Sequence, residues 1–394
     1  MTVSDLNNLA CELSAVSVFR SVIKTKVMTN LLAFLGCQGD ACEQMKLFGE
    51  FVYSLAEDNY SFSDFLSRSL YQDENEYIKA AAQNKTVSPA LLQNVDAELK
   101  LFSKLTELKA KDLCEAVAYS GYVPEFDNSY TDFTSAYAER IKNVDRYGYG
   151  VFSGAKMFRI NDGEIIPVLS ADEISPDNFI GYDTQRKKVF DNTEALINGK
   201  PAANVLLFGD AGTGKSSTVK ACANYFYDKG IRLIELRRDQ LLSLSYVMDK
   251  IANNPLKFII FIDDLSFNKN DDSFSMLKAV LEGSAAVRAK NAVIYATSNR
   301  RHIVKESFSE RLDGDDVHRN DTMQELMSLS DRFGLKVYFE KPDKNLYLTI
   351  VNKMAEKNNI TIPQDELYIK AEAFALQKGS RSPRAAEQFI SSLL

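Results

Sequence analysis

Histidine is nearly missing: the 394 residues include only two, His302 and His318. Histidine-based metal sites and Ser-His or Cys-His catalysis therefore have little to work with. Any chemistry must fall to carboxylates, lysine, arginine and backbone amides. The five cysteines (Cys11, Cys37, Cys42, Cys114 and Cys222) are scattered, with no CxxC pair and no histidine near the closest two. They are expected to be reduced, mostly buried thiols of a cytoplasmic protein. No apolar run approaches the about 20 residues that a membrane helix needs. The opening stretch, MTVSDLNNLACELS, lacks a basic region and carries Asp5 and Glu12, so no signal peptide is expected there. An excess of positive charge is missing too. The formal net charge is -7 and the pI about 5.2. That disfavours a general polyanion binder, while leaving room for a local basic patch.

What is present is enough chain for two or three domains with real cores. Residues 1–145 read as an all-helical domain. Ser88-Pro89 is a helix start, a capping side chain followed by proline at the first helical position. Beyond it Leu91, Val95, Leu99 and Phe102 fall on one face. Cys42 to Glu57 and Phe62 to Tyr71 follow similar patterns. Residues 146–176 change to aromatic and β-branched composition, with Asn161-Asp162-Gly163 as a hairpin turn, and read as a hairpin and linker. From 177 to 341 strands alternate with helices. Strands are expected at Val205–Phe208, Ile231–Leu236, Phe258–Ile262, Ala292–Ala296 and Leu335–Phe339. Continuous apolar strands between helices predict an α/β domain whose parallel sheet carries helices on both faces. Residues 342–394 turn helical again, as a small C-terminal appendage.

The chemistry concentrates in two places. GDAGTGKSS, comprising Gly209, Asp210, Ala211, Gly212, Thr213, Gly214, Lys215, Ser216 and Ser217, follows the apolar strand NVLLF and opens a helix. Glycines let backbone amides turn inward onto phosphate oxygens, and the helix start adds its positive dipole. Lys215 is placed for the β- and γ-phosphates and Ser216 for Mg²⁺, so this is a candidate nucleotide site. KFIIFIDDL supplies the second place, a buried strand ending in two carboxylates. Carboxylates there are costly unless a cation or hydrogen bonds await them. Asp263 suits the Mg²⁺ position, and Asp264 suits a base that polarises the attacking water.

Several phosphate machines share such a loop. Asn268-Lys269-Asn270-Asp271 spells the guanine-reading N-K-x-D, but it lies a few residues after Asp263 rather than behind its own buried strand. A solvated turn explains it better. A small-molecule kinase needs no polar residue at the tip of a further core strand, yet NAVIYATSN places Asn299 at such a tip. If that strand lies between the glycine loop and Asp263, Asn299 stands beside the γ-phosphate, because parallel sheets put ligands at the carboxyl ends of their strands. Arg332, in SDRFG, precedes a strand at an edge from which a guanidinium could reach a neighbouring subunit's nucleotide. Arg384, in SPRAA, sits on the first turn of a late helix.

In this order, GDAGTGKS, FIIFIDDL, VIYATSN, SDRFG and SPRAA resemble the AAA+ ATPase superfamily, over roughly Asp177 to Leu394. The resemblance implies a P-loop NTPase core with a helical lid and ATP as substrate. It implies that Asn299 is the first sensor, Arg332 an arginine finger and Arg384 the second sensor. The run from FIGYD through NRRHIV to SLSDRFGL also resembles a bacterial AAA-type family known only as a domain of unknown function, whose members carry a helical N-terminal region. That resemblance implies no client. Two departures stand out. Asp264 replaces the usual glutamate, so a shorter side chain must reach the water and turnover is expected to be slow. IELRRDQLLSLSYVMD, where Tyr246 is the one aromatic, lacks the aromatic-glycine pore loop of threading unfoldases.

The expectation is a Mg²⁺-dependent ATPase that assembles as a homo-oligomer and remodels or loads a partner protein. The alternative is an ATP-dependent binding switch that hydrolyses little and acts through the N-terminal helices. The helix following Asp264 and the loop Ser309 to Thr322 are the expected client-facing elements. That loop is acidic, which argues against its gripping nucleic acid. The small basic cluster of Arg300, Arg301 and Lys305 reads first as a solvated face.

Overall fold

The computed structural model describes residues 1–169, 174–176, 179–265, 272–282, 289–299 and 329–394. The N-K-x-D stretch, the basic cluster and the acidic loop lie outside the described residues. The chain divides into two compact units, Met1–Gly154 and Ala155–Leu394.

The first unit is helical. Among its helices are α1 (Val3–Ser14), α2 (Lys26–Leu35), α3 (Ala41–Tyr53), α4 (Phe62–Gln72), α5 (Pro89–Leu105) and α6 (Phe133–Lys142). Capping fixes where they start. Thr25, Asp40, Ser61 and Ser88 each accept a hydrogen bond from a backbone N–H in the first turn, with Pro89 at the first helical position of α5. The core is aromatic: Phe51, Phe62 and Phe126 meet edge-on at 5.3 to 6.0 Å between ring centroids. Most phenylalanines of this unit are therefore packing residues, while Tyr53, Tyr122 and Tyr130 are exposed. The Glu98 carboxylate is buried at 7% exposure. It accepts hydrogen bonds from the N–H groups of Ser17, Val18 and Phe19 and from the Ser17 hydroxyl, at 2.7 to 3.1 Å. Those four bonds offset the cost of burying the charge.

The second unit is built on a seven-stranded sheet in the order β2-β1-β4-β5-β6-β3-β7. The strands are β1 (Met157–Asn161), β2 (Glu164–Pro167), β3 (Val205–Gly209), β4 (Ile231–Leu236), β5 (Lys257–Ile262), β6 (Ala292–Ser298) and β7 (Leu335–Phe339). All neighbouring pairs are parallel except β1 with β2. The strands are apolar on both faces. Val205, Leu207, Ile259, Phe261 and Val337 join a core beneath α7 (Asp183–Ile197) and α8 (Lys215–Tyr225). Leu206, Ile234, Ile260, Ile262 and Ile294 point the other way and are equally buried. Both faces are thus covered, as parallel sheets require. A polar cluster sits inside the first of these layers. The Tyr295 hydroxyl on β6 lies 2.7 Å from that of Thr193 and receives the Asn192 amide at 3.0 Å, while the Cys222 thiol donates to Thr193.

The hairpin corrects the expected organisation. Asp162 and Gly163 do form its tight turn, with φ of 47° and 82°. It is not part of a linker, however: β1 pairs in parallel with β4, Met157 opposite Leu233, and so extends the sheet. Residues before it belong with the helical unit, where Tyr149 joins the core. The cysteines also need correction. All five are free, but only Cys114 and Cys222 are buried, while Cys11 and Cys42 are exposed. Burial pushes the Cys114 thiol up to about 11 and that of Cys222 up to about 12.

After β7 the chain forms a helical lid of α9 (Lys344–Lys357), α10 (Gln364–Gln377) and α11 (Pro383–Ser391). Tyr347, Ile350, Val351, Leu367, Ala371, Phe389 and Ile390 close its own small core. Ser382 caps α11 by accepting the Ala385 N–H, and Pro383 holds the first helical position.

Candidate functional site

The carboxyl ends of β3, β5 and β6 converge on one cleft. β6 lies between β5 and β3, with Ile262 opposite Ala296 and Phe208 opposite Ser298. The next residue on each strand is therefore Asp263, Thr297 and Gly209, so the carboxylate pair, the polar tip of β6 and the glycine loop meet. The cleft has a volume of about 700 Å³ and is lined by the loop from Ala211 to Ser217, by Asp263, Asp264, Thr297 and Asn299, and by Arg384 of the lid. That size suits a nucleotide.

The loop adopts the backbone its glycines allow, with φ of 73° at Gly212 and 89° at Gly214. Gly209 leaves no room for a side chain, since a Cβ there would stand 2.1 Å from the carbonyl oxygen of Phe339. The Lys215 side chain is buried and donates to the carbonyls of Gly209 and Asp210, at 3.2 and 2.7 Å. Burial lowers its pKa, and the nearby carboxylates of Asp210, Asp263 and Asp264 work against that. The Ser216 hydroxyl donates to Oδ1 of Asp263 at 2.6 Å. Hydroxyl and carboxylate oxygens so placed form a hard donor set of the kind Mg²⁺ takes alongside phosphate and water. Among the described residues no group of three or more histidine, cysteine or acidic side chains forms a cage of its own. Nucleotide oxygens and water would complete the shell.

Asp264 has φ of 52°, left-handed backbone that few non-glycine residues adopt. Its Oδ1 accepts the Asn299 amide at 2.9 Å. Arg384 reaches the cleft because α11 docks on the loop: its N–H donates to the Gly212 carbonyl at 3.3 Å. Arg332 is exposed and does not line the cleft. Asp210, expected from the motif in the phosphate loop, turns its carboxylate to the Lys341 N–H at 2.8 Å. Its own N–H donates to the Phe339 carbonyl.

Sequence reasoning missed a further wall of the cleft. Phe179, Ile180, Tyr182 and Arg186 line it, with Ile350 and Met354 from the lid. Tyr182 is held by left-handed backbone, and its hydroxyl donates to the Glu340 carbonyl at 2.6 Å. FIGYD was the available signal, a glycine between aromatics ahead of a helix. Glu387, one turn beyond Arg384, also faces the cleft. The Tyr246 hydroxyl donates to Glu164 of the hairpin at 2.9 Å.

The parallel sheet, the glycine loop behind its strand and the docked C-terminal helices fit the α/β P-loop fold expected from the sequence. A sequence-family profile described as "Protein of unknown function (DUF815)" matches residues 153–394. The chain belongs to this family. The DUF815 match begins ahead of β1, so it takes in the hairpin with the rest of the sheet. No curated protein matches the chain. Among solved structures, the replication initiator DnaA bound to AMPPCP and single-stranded DNA is similar at 16% identity and a TM-score of 0.41, over 57% of this chain and 66% of that one. AMPPCP-bound DnaA from Aquifex aeolicus gives 17%, 0.39, 57% and 66%. A RuvB mutant from Thermotoga maritima gives 17%, 0.37, 55% and 64%. Each match spans just under two thirds of the other chain. At such scores these likenesses add nothing to the strand order of the DUF815 chain itself. No helix among the described residues is long and apolar enough to cross a membrane.

Proposed function

We propose that the cleft binds ATP with Mg²⁺ and hydrolyses it, in a homo-oligomer that acts on a partner protein. The observation that carries this reading is the 2.6 Å contact between Ser216 and Asp263, which joins the phosphate loop to the carboxylate strand at the mouth of the cleft.

In this reading the amides from Ala211 to Ser217 hold phosphate oxygens, and Lys215 turns its ammonium onto the β- and γ-phosphates. Ser216 and Asp263 hold the cation, which when bound would neutralise charge on the β- and γ-phosphates. Asp264 and Asn299 orient the attacking water on the far side of the γ-phosphate, and the Asp264 carboxylate accepts its proton. Arg384 adds positive charge from the lid. Arg332 acts in the cleft of a neighbouring subunit, which accounts for its place outside its own.

Steady-state ATP turnover against protein concentration tests this, for the wild type and Arg332→Ala. Specific activity is expected to climb with concentration and to fall at least a hundredfold in the variant, with ATP binding nearly intact. Unchanged turnover in the variant would sink the shared site. A second reading, an ATP-dependent switch with little hydrolysis, is favoured by the 2.9 Å bond between Asn299 and Asp264, which occupies the carboxylate that would receive the proton.

A further inference from the structure

Thr297 lines the cleft yet has no part in the scheme above. Its exposure is 2%. Its hydroxyl proton goes to Oδ1 of Asp263 at 2.5 Å, and its oxygen accepts the Asp264 N–H at 2.9 Å. Its own carbonyl accepts the Leu265 N–H at 2.7 Å. One residue of β6 thus grips three consecutive residues where the chain leaves β5. Chemistry fixes the direction of each bond: an ionised carboxylate only accepts and an N–H only donates, so the hydroxyl must serve both at once.

Pairing of the two strands does not need this hydroxyl. The backbone ladder from Phe258 opposite Ala292 to Ile262 opposite Ala296 already secures it. What the hydroxyl adds lies beyond the ladder. Oδ1 of Asp263 is held between two hydroxyls from different elements, Thr297 on β6 and Ser216 on α8. The Asp264 N–H is held at the residue whose φ is 52°, a conformation that persists only where the surroundings impose it.

We propose that Thr297 is a positioning residue for the cation and the attacking water. Its hydroxyl sets the orientation of Asp263 and the turn at Asp264, so that both carboxylates are aimed before the nucleotide arrives. This rests on the reading of the cleft as a Mg²⁺-ATP site. The residue acts through Asp263 and Asp264, so its removal weakens the metal-dependent part of nucleotide binding and spares the rest.

The test is the affinity of a fluorescent, non-hydrolysable ATP analogue, measured with Mg²⁺ and with EDTA, alongside thermal melting without nucleotide. In Thr297→Val, which keeps the shape and removes the hydroxyl, the gain in affinity from Mg²⁺ is expected to shrink about tenfold or more. Affinity in EDTA should stay near wild type. Thr297→Ser, which restores the hydroxyl, should regain most of the Mg²⁺ effect. If the valine variant fails to fold, Thr297→Cys, of similar size and a poor donor, carries the same comparison. A folded valine or cysteine variant with the wild-type Mg²⁺ gain overturns the role of Thr297 alone. A wild type whose nucleotide affinity ignores Mg²⁺ overturns the Mg²⁺-ATP reading and the role of Thr297 together.

Discussion

The side-chain amide of Asn299 donates to Oδ1 of Asp264 across 2.9 Å, joining the tip of β6 to the second carboxylate after β5. This bond bears on both functional readings. If Asp264 is the base, Asp264→Asn removes its proton acceptor and should cut turnover about a hundredfold or more. ATP-bound assemblies should then accumulate on size exclusion. In the switch reading the same variant should behave almost as wild type.

Lys215 carries its own ammonium charge in a buried place, and burial lowers its pKa. Lys215→Met should therefore leave melting without nucleotide unchanged or slightly higher, because the desolvation cost disappears. Saturating nucleotide should no longer stabilise the protein. In the wild type, ligand at about one hundred times its Kd adds about 2.7 kcal/mol. Thermal shift with and without Mg²⁺-ATP reads both effects, and a nucleotide-induced shift retained in the variant would remove Lys215 from the phosphate site.

Gly209 combines φ of 132° with a neighbour it cannot displace, the Phe339 backbone carbonyl. Gly209→Ala should destabilise the second unit on the order of 2–4 kcal/mol, as strain and overlap fall together at one backbone position. Urea unfolding measures this. A stability within about 0.5 kcal/mol of wild type would contradict the close approach.

Within the lid, the Arg381 guanidinium makes two hydrogen bonds to Glu372, at 2.9 and 2.7 Å. This bond first, and the charges of Arg381 and Lys344, hold the Glu372 carboxyl below its usual 4.5. A lowered folded-state pKa gives stability that is present above the unfolded value and lost as pH falls through the folded one. Glu372→Gln should thus cost about 0.5–1 kcal/mol at pH 7, as expected for a pair near the surface. The gap to wild type should close as pH drops below about 4.5. A gap that persists in acid would mean that packing, not charge, sets the cost.

The core strands were legible almost to the residue, because five apolar runs between helical segments leave few other ways to bury them. That the glycine loop and both carboxylates come together at one cleft was legible from residue type and spacing. Asn299 was legible once its strand was placed between the loop and Asp263, and the sheet order bears that placement out. The hairpin was seen, but not its pairing with β4, which joins residues as far apart as Met157 and Leu233 and leaves no local trace. Thr297 was hidden for a related reason. A threonine at the end of a strand reads as an ordinary β-former, and its partners sit on another strand. Phe179, Ile180 and Tyr182 likewise join the cleft from a segment well ahead of the glycine loop in sequence.

Phe339 to Lys341, the passage from the sheet to the lid, is gripped three times. The Asp210 N–H takes the first carbonyl, the Tyr182 hydroxyl the second, and the Asp210 carboxylate the last N–H. Two of the three grips come from the phosphate loop itself. In mechanical terms this passage ties the glycine loop to α9, which is about 21 Å long at 1.5 Å per residue and begins three residues later. Loop and C-terminal helices are thus coupled in position, because the backbone that leaves the sheet for α9 is anchored on a residue of the glycine-rich turn.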